Sequence, residues 1–376
     1  MAEKFAKRIL VIGGGVGGMS VAMQLGKMGV SVDLIDIDPH WRAAGAGLTL
    51  NGATLRSFGQ LGVLDKIAEA GDIHGGRQVM GRHDNTLVYI PAYKPAPDDL
   101  SAGGGILRPV LHGILSSETK KAGVNVRLGL SVETLVQHED HVDIKFFDGS
   151  SGQYDVVVGA DGISSQTRRT IFPDAPKPAF TGQGCWRAVF PRADEVTTTR
   201  IYVDHSYKMG FNPVSDKEMY MFLLETAEGN PWRDEADWID LLRERMKIFA
   251  GLPARLADEL SESSLVNYRP LESLLLPLPW HVGRVVLLGD AVHATTPHAG
   301  YGAGLSIEDG IVLAEYLGKT EDPETAFTRY EERRFERCRT VLEGSVNIGR
   351  LEMAGAGLTE QIGATMSLVE ATYAPF

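Results

Sequence analysis

Arg8-Ile9-Leu10-Val11-Ile12-Gly13-Gly14-Gly15-Val16-Gly17-Gly18 is the stretch that decides the fold. Its apolar, partly β-branched start reads as a buried parallel strand. Glycines follow in the spacing Gly13-x-Gly15-x-x-Gly18. Met19, Met23, Leu25 and Met28 then recur as on a helix, with Gly29 as its stop. Val30-Ser31-Val32-Asp33-Leu34-Ile35-Asp36 reads as a second strand ending in an acid. Strand, helix and strand make a βαβ start of about 30 residues with the glycines in its first turn. A Cβ there would hold the backbone away from a pyrophosphate. The helix N-terminus offers free N–H groups and the positive end of its dipole. Asp36 stands where a carboxylate accepts hydrogen bonds from ribose hydroxyls. A ligand-free glycine turn is the plainer alternative, and the register of strand, helix, strand and acid opposes it.

A second glycine segment lies far along the chain. The strand-like run Arg284-Val285-Val286-Leu287-Leu288 leads into Gly289-Asp290-Ala291, and Pro297-His298-Ala299-Gly300-Tyr301-Gly302-Ala303-Gly304 follows. Two cradling segments at opposite ends of one chain suggest a large cofactor gripped twice, and FAD fits this better than NAD. A third signal sits between them. Asp155-Val156-Val157-Val158 reads as a buried strand running into Gly159-Ala160-Asp161-Gly162, with Arg168 and Arg169 beyond. Such a turn puts a carboxylate at the carboxyl edge of a sheet, where open α/β sheets bind ligands. By itself an Asp-Gly pair is only a common turn.

Composition limits the classes of function. A chain of 376 residues can hold two domains with sizeable cores. A net charge of −12 argues against nucleic acid or an anionic membrane as partner. Two cysteines, Cys185 and Cys338, are too few for a disulfide framework. Lys4, Lys7 and Arg8 before an apolar run imitate a signal peptide, but the glycine fingerprint lies inside that run. No apolar run is long enough to span a membrane as a helix, so a cytoplasmic enzyme is expected. His293 and His298 invite a metal reading, but no further ligand pattern completes a set, and no metal is expected. His293 is expected to make a structural hydrogen bond. His298 should border the reactive edge of a bound ring, as a substrate contact or as packing.

Taken together, the motifs resemble those of the single-component flavoprotein aromatic hydroxylases, the group of para-hydroxybenzoate and salicylate hydroxylases. The fingerprint, Asp161-Gly162 and Gly289-Asp290 occur in that family's order. Gly45-Ala46-Gly47-Leu48 resembles its glycine-bearing segment after the second strand. Arg108, with Leu111 and Leu115 on one helical face, resembles its flavin-contacting arginine. Cys185-Trp186-Arg187 resembles the Trp-Arg pair that opens its substrate-domain sheet. The likeness runs from about residue 8 to about residue 350. Tyr301 departs from it, since many relatives carry glutamine there, and Gly304 is often asparagine or glycine.

The resemblance implies an α/β protein: a discontinuous Rossmann-like FAD-binding domain, an inserted, mainly antiparallel substrate sheet, and C-terminal helices. The ranges are 1–75, 101–180 and 272–322 for FAD, 76–100 and 181–271 for substrate, and 323–376 for the helices. The implied cofactor residues are Gly13, Gly15, Val16, Gly17, Gly18, Asp36, Arg42, Gly47, Arg108, Asp161, Gly289, Asp290, Pro297, Gly300, Gly302, Ala303 and Gly304. Asp290 should take a ribityl hydroxyl, and a helix starting near Leu305 should aim its amides at the flavin pyrimidine ring, with Glu308 and Asp309 in its first turns. NADH or NADPH should reduce FAD while bound transiently in a groove near Asp161 and Arg168. O2 would then give a flavin C4a-hydroperoxide that hydroxylates a small aromatic or heteroaromatic substrate. Tyr220, His205, Arg187 and His298 are the candidate polar contacts to that substrate, though each also fits a plain sheet or surface position. Gln78-Val79-Met80 and Leu87-Val88-Tyr89-Ile90 read as a hairpin around Asp84-Asn85. In Glu218-Met219-Tyr220-Met221-Phe222-Leu223-Leu224, Tyr220 and Phe222 share one face. The 238–249 stretch reads as helix. Arg329-Tyr330-Glu331-Glu332-Arg333-Arg334 reads as a solvated charged face or an interface. A monomer or homodimer is expected. Two other readings stay open: a reductase or epoxidase of the same fold acting on an isoprenoid, and a silent FAD-binding redox sensor.

Overall fold

A computed structural model describes residues 8–43, 45–93, 103–262, 264–320 and 322–376. Lys4, Lys7 and the expected domain boundary at 100/101 lie outside the described residues.

Arg8–Ile12 and Ser31–Asp36 pair in parallel, as their apolar runs predict. They belong to a six-stranded sheet ordered His281–Val282, Val285–Leu287, Val156–Gly159, Arg8–Ile12, Ser31–Asp36, Asn125–Leu128. All neighbours run parallel except the first pair. Both faces of this sheet are covered. Ile9 and Val11 pack into the main core with the helices, whereas Leu10 packs the other way onto Val142, Ile144, Phe146 and Tyr154. The latter come from the antiparallel strands Val132–Gln137, Val142–Phe146 and Ser151–Tyr154. A strand buried on both faces has no polar alternation, which is why its sequence is so uniformly apolar.

The fingerprint helix Val16–Lys27 crosses the helix Gly302–Leu317 closely. A Cβ on Gly310 would stand 2.7 Å from the backbone nitrogen of Val21. The two glycine segments thus meet although they are distant in sequence. The second helix begins at Gly302, three residues before the expected start near Leu305. Its glycines form the first turn and not a preceding loop.

The second large sheet has seven strands, ordered Asn267–Leu275, Ala179–Pro191, Glu218–Thr226, Tyr207–Pro213, Thr199–Val203, Arg77–Met80, Thr86–Ile90. It is antiparallel except between Thr199–Val203 and Arg77–Met80. The hairpin around Asp84-Asn85 forms as expected. Period-two alternation divides its residues. Trp186, Met219, Met221 and Leu223 pack onto the helices Trp238–Met246 and Leu252–Glu259. Cys185, Phe222 and Leu224 face the other way. The first of those helices stops at Met246, short of the expected Phe249.

The helices Pro323–Met353 and Leu358–Thr372 close the chain. The Arg329–Arg334 stretch in the first of them is divided, with Arg329 and Glu332 exposed as its charge suggests and the rest turned inward. Tyr330, Glu331 and Arg334 are buried. Arg334 reaches Asp309 at 2.8 Å and Glu308 at 2.8 Å, and both carboxylates are fully buried. Removing one partner of a buried charge pair leaves the others uncompensated. Arg334→Met is therefore expected to lose roughly 3–5 kcal/mol of stability in urea unfolding at neutral pH. A loss near the ±0.5 kcal/mol of ordinary surface changes would mean that the network does not hold the fold.

Candidate active site

A cavity of about 840 Å³ opens where the two glycine segments and the seven-stranded sheet converge. It falls in the range of pockets that bury a ligand deeply. Gly15, Val16, Gly17, Asp36 and Arg42 form its fingerprint end, and Gly47 and Arg108 continue it. Gly289, Asp290, Pro297, Gly300, Gly302 and Ala303 form a second wall. Arg187, Tyr220, Phe222 and Leu224 face them from the sheet.

Local structure explains the fingerprint. The N-cap of its helix is Gly15, with no side-chain cap, so the first-turn N–H groups point outward unsatisfied. The Gly302 helix likewise starts with no side-chain cap. A Cβ on Gly15 would meet nothing within 4 Å, so it would project into open cavity. Gly13 and Gly18 do not line the cavity; they build the turn. Gly13 has φ +106°, and a Cβ on Gly18 would stand 1.9 Å from the Gly13 carbonyl oxygen. Asp36 accepts from the Gly14 amide at 2.7 Å and the Asp38 amide at 2.8 Å while still facing the cavity. Trp41, which carried no sequence signal, has φ 49° and donates through Nε1 to the Gly14 carbonyl at 2.9 Å. Arg42 is exposed at the rim and pairs with Asp38.

Three other expected contacts sit behind the wall. Asp161 accepts from Ser165 Oγ at 2.5 Å and from the Thr167 amide at 2.9 Å, so it braces the turn while Ala160 and Gly162 face the cavity. Arg168 is buried and donates to the Ala291 and Ile163 carbonyls. It does not front the expected nucleotide groove, because those carbonyls claim its guanidinium. Gly304 lies against the Tyr301 ring, 2.4 Å from where its Cβ would be. Tyr301 is itself buried, with its hydroxyl on Glu308 and Arg337. It props the helix start from beneath.

Asp290 faces the open cavity yet lies deep, and burial pushes its carboxyl pKa up, against the pull of His293 and Arg108. Burial likewise raises the Tyr220 hydroxyl, which shares a hydrogen bond with Arg187. His298 lines the cavity, but both ring nitrogens are engaged, Nδ1 with Thr296 at 2.9 Å and Nε2 with Glu352 at 3.2 Å. Glu352 also binds Lys208 at 2.7 Å. Burial pushes its carboxyl up, but Lys208 and His298 hold it well below the usual range. His205 is not brought to this cavity. Its strand ends at Val203, and the following hairpin carries it to a smaller cavity of about 500 Å³. His293 bonds Asp309 at 2.5 Å. Together with Cys338 these atoms are close enough for an ion, but the Arg334 guanidinium occupies the same cluster and opposes one.

Sequence reading missed Arg77, Lys208, Glu352 and the C-terminal helix side chains Thr365, Met366 and Val369, of which Glu352 stands behind the wall and the rest line it. Strand alternation on the cavity face was the one available signal for Arg77 and Lys208.

A family profile described as an FAD binding domain matches residues 7–345. YetM of Bacillus subtilis, named provisionally as an FAD-dependent monooxygenase, is 30% identical over 98% of this chain and 100% of its own. The aurachin C monooxygenase/isomerase of Stigmatella aurantiaca is 29% identical over 91% of this chain and 89% of its own. The 6-hydroxynicotinate 3-monooxygenase of Bordetella bronchiseptica is 28% identical over 89% of each chain. A Klebsiella pneumoniae HpxO variant solved with FAD superposes with a TM-score of 0.81 at 21% identity, covering 97% of this chain and 94% of that one. P. aeruginosa PqsL with 2-aminobenzoylacetate gives 0.82 at 21%, covering 96% and 99%.

The open space beside Gly15 and the uncapped helix starts fit a dinucleotide pyrophosphate. Gly15→Val is expected to fold normally and carry no FAD, whereas Gly18→Val should unfold by collision with Gly13. Circular dichroism and released-flavin assays on both variants separate the two effects. A Gly15→Val protein with full FAD content would remove this turn from the site.

Proposed function

This chain belongs to the FAD-binding-domain family and is an FAD-dependent monooxygenase, and we propose that it uses NAD(P)H and O2 to hydroxylate a small aromatic or heteroaromatic ring. The observation that carries the proposal is the joining of a dinucleotide cradle and a buried, aromatic sheet face in one cavity. Bound FAD would supply hydride acceptance and the activation of O2.

The chain supplies position, dryness and charge. In this reading the amides around Gly15 take the pyrophosphate and Asp290 accepts a ribityl hydroxyl. The N–H groups opening the Gly302 helix face the pyrimidine end of the flavin and stabilise negative charge there. Phe222, Leu224 and Leu271 form one apolar cluster on the sheet. They keep water from the reacting ring. Tyr220, held by Arg187, orients a ring oxygen. His298 positions the Pro297 segment through Glu352.

Arg77 gives the substrate end its polarity. Burial pulls its guanidinium pKa down, and among the described residues its one side-chain partner is Met366 Sδ at 3.9 Å. Arg77 is half-buried on the cavity wall without a carboxylate beside it, and an acceptor oxygen on the ligand would stabilise its charge. Arg77→Met is expected to raise KM at least about tenfold for anionic ring substrates, roughly 1.4 kcal/mol, with little change in kcat. An unchanged KM would place the substrate elsewhere.

One cavity must admit both the nicotinamide donor and the ring. A ring substrate is therefore expected to speed anaerobic flavin reduction by at least about tenfold, close to 1.4 kcal/mol in barrier. Stopped-flow bleaching with NADH and NADPH, across a panel of phenols and N-heteroaromatics, measures this. Equal rates with and without every ring would discard substrate gating.

A further inference from the structure

The far side of the six-stranded sheet carries a side-chain cluster that the monooxygenase reaction does not use. The strands Val132–Gln137 and Val142–Phe146 are joined by the short turn His138-Glu139-Asp140-His141. Gln137 pairs with Val142, and the His138 amide donates to the His141 carbonyl at 2.8 Å. His138 and His141 are therefore the next cross-strand pair, and their side chains share a face. Asp143 lies two residues on from His141, so it joins that face. Gln153 joins as well, because it pairs with Asp143 on the third strand.

Distances narrow the chemistry. His138 Nε2 lies 3.0 Å from Asp143 Oδ2, and His141 Nε2 lies 3.4 Å from Asp143 Oδ1. All three ligand atoms stand within 4.8 Å of one another. Zinc–ligand bonds of about 2.05 Å put neighbouring donors of a tetrahedron about 3.3 Å apart. The other nitrogen of His141, Nδ1, bonds Asp140 at 2.6 Å. A carboxylate on the remote nitrogen fixes the tautomer that leaves Nε2 as the donor. The imidazoles stack with centroids 4.5 Å apart and planes 19° apart.

We propose that His138, His141 and Asp143 bind a divalent transition-metal ion such as Zn2+ on the surface of the FAD domain, distant from the cavity. Gln153 Nε2 stands 3.4 Å from His141 Nε2, and a flip of its amide brings an oxygen to the fourth position. Water fills that position otherwise. His138 and Asp143 are 43% and 45% exposed, so an ion can reach them directly. Two imidazoles and a carboxylate suit Zn2+ and Ni2+ better than Mg2+ or Ca2+.

Equilibrium dialysis of the EDTA-treated, flavin-loaded protein against Zn2+, with Mg2+ as control, tests the site. One Zn2+ per chain is expected at micromolar free metal, with no matching Mg2+ uptake. Asp143→Asn, which keeps the side chain's shape, should weaken Zn2+ at least tenfold. His138→Ala with His141→Ala should abolish uptake while flavin content stays at the wild-type level. Absence of saturable Zn2+ uptake in the wild type would overturn the proposal. So would equal uptake by the double variant, which would locate the ion on other residues.

Discussion

Asp309 is the constraint on which the site depends. One of its oxygens accepts from the Gly289 amide at 2.9 Å and meets His293 at 2.5 Å, while the other takes Arg334 at 2.8 Å. Burial pushes this carboxyl up, but His293 and Arg334 together hold it well below the usual carboxylate range. One ionised side chain thereby fixes the left-handed turn at Gly289, the start of the next helix, and the long C-terminal helix. Asp290, adjacent to that turn, inherits its position. A charge so deep in the protein is tolerable only when fully partnered, and each partner here belongs to an element that walls or braces the cavity.

The cavity has two regimes. Its fingerprint end is mostly backbone, where glycines let main-chain N–H groups do the binding. Its sheet end is mostly side chains: apolar rings and leucine around a few guanidinium and hydroxyl groups. Fields are strong where water is scarce, so the arginines matter more at the sheet end than Arg42 does at the open rim.

Legibility followed the same division. Parallel strands buried on both faces announce themselves as apolar runs, and glycine spacing announces the cradle, so the α/β framework and the cofactor end were readable. The start of the Gly302 helix was not, because glycine is a poor helix former and its turn reads as loop. Arg334 was misread because charge in a helix normally marks solvent, and nothing local signals an acid pair waiting on another helix. His205 was misplaced because it sits in the turn between Thr199–Val203 and Tyr207–Pro213, which carries it off the cavity face. Lys208 and Glu352 come together only through tertiary packing between a strand and a helix end.

The helix Pro323–Met353 has 31 residues, which makes it about 46 Å long at 1.5 Å per residue. Arg334, in its first half, neutralises Asp309 and Glu308, and Glu352, near its end, engages Lys208 and His298. A ribosome makes this segment after both sheets. Until then, Glu308 and Asp309 lack the Arg334 guanidinium and His298 lacks its Glu352 partner. One helix is thereby a strut that fixes the acids behind the Gly289 turn at one point of its length and the Pro297 segment at another.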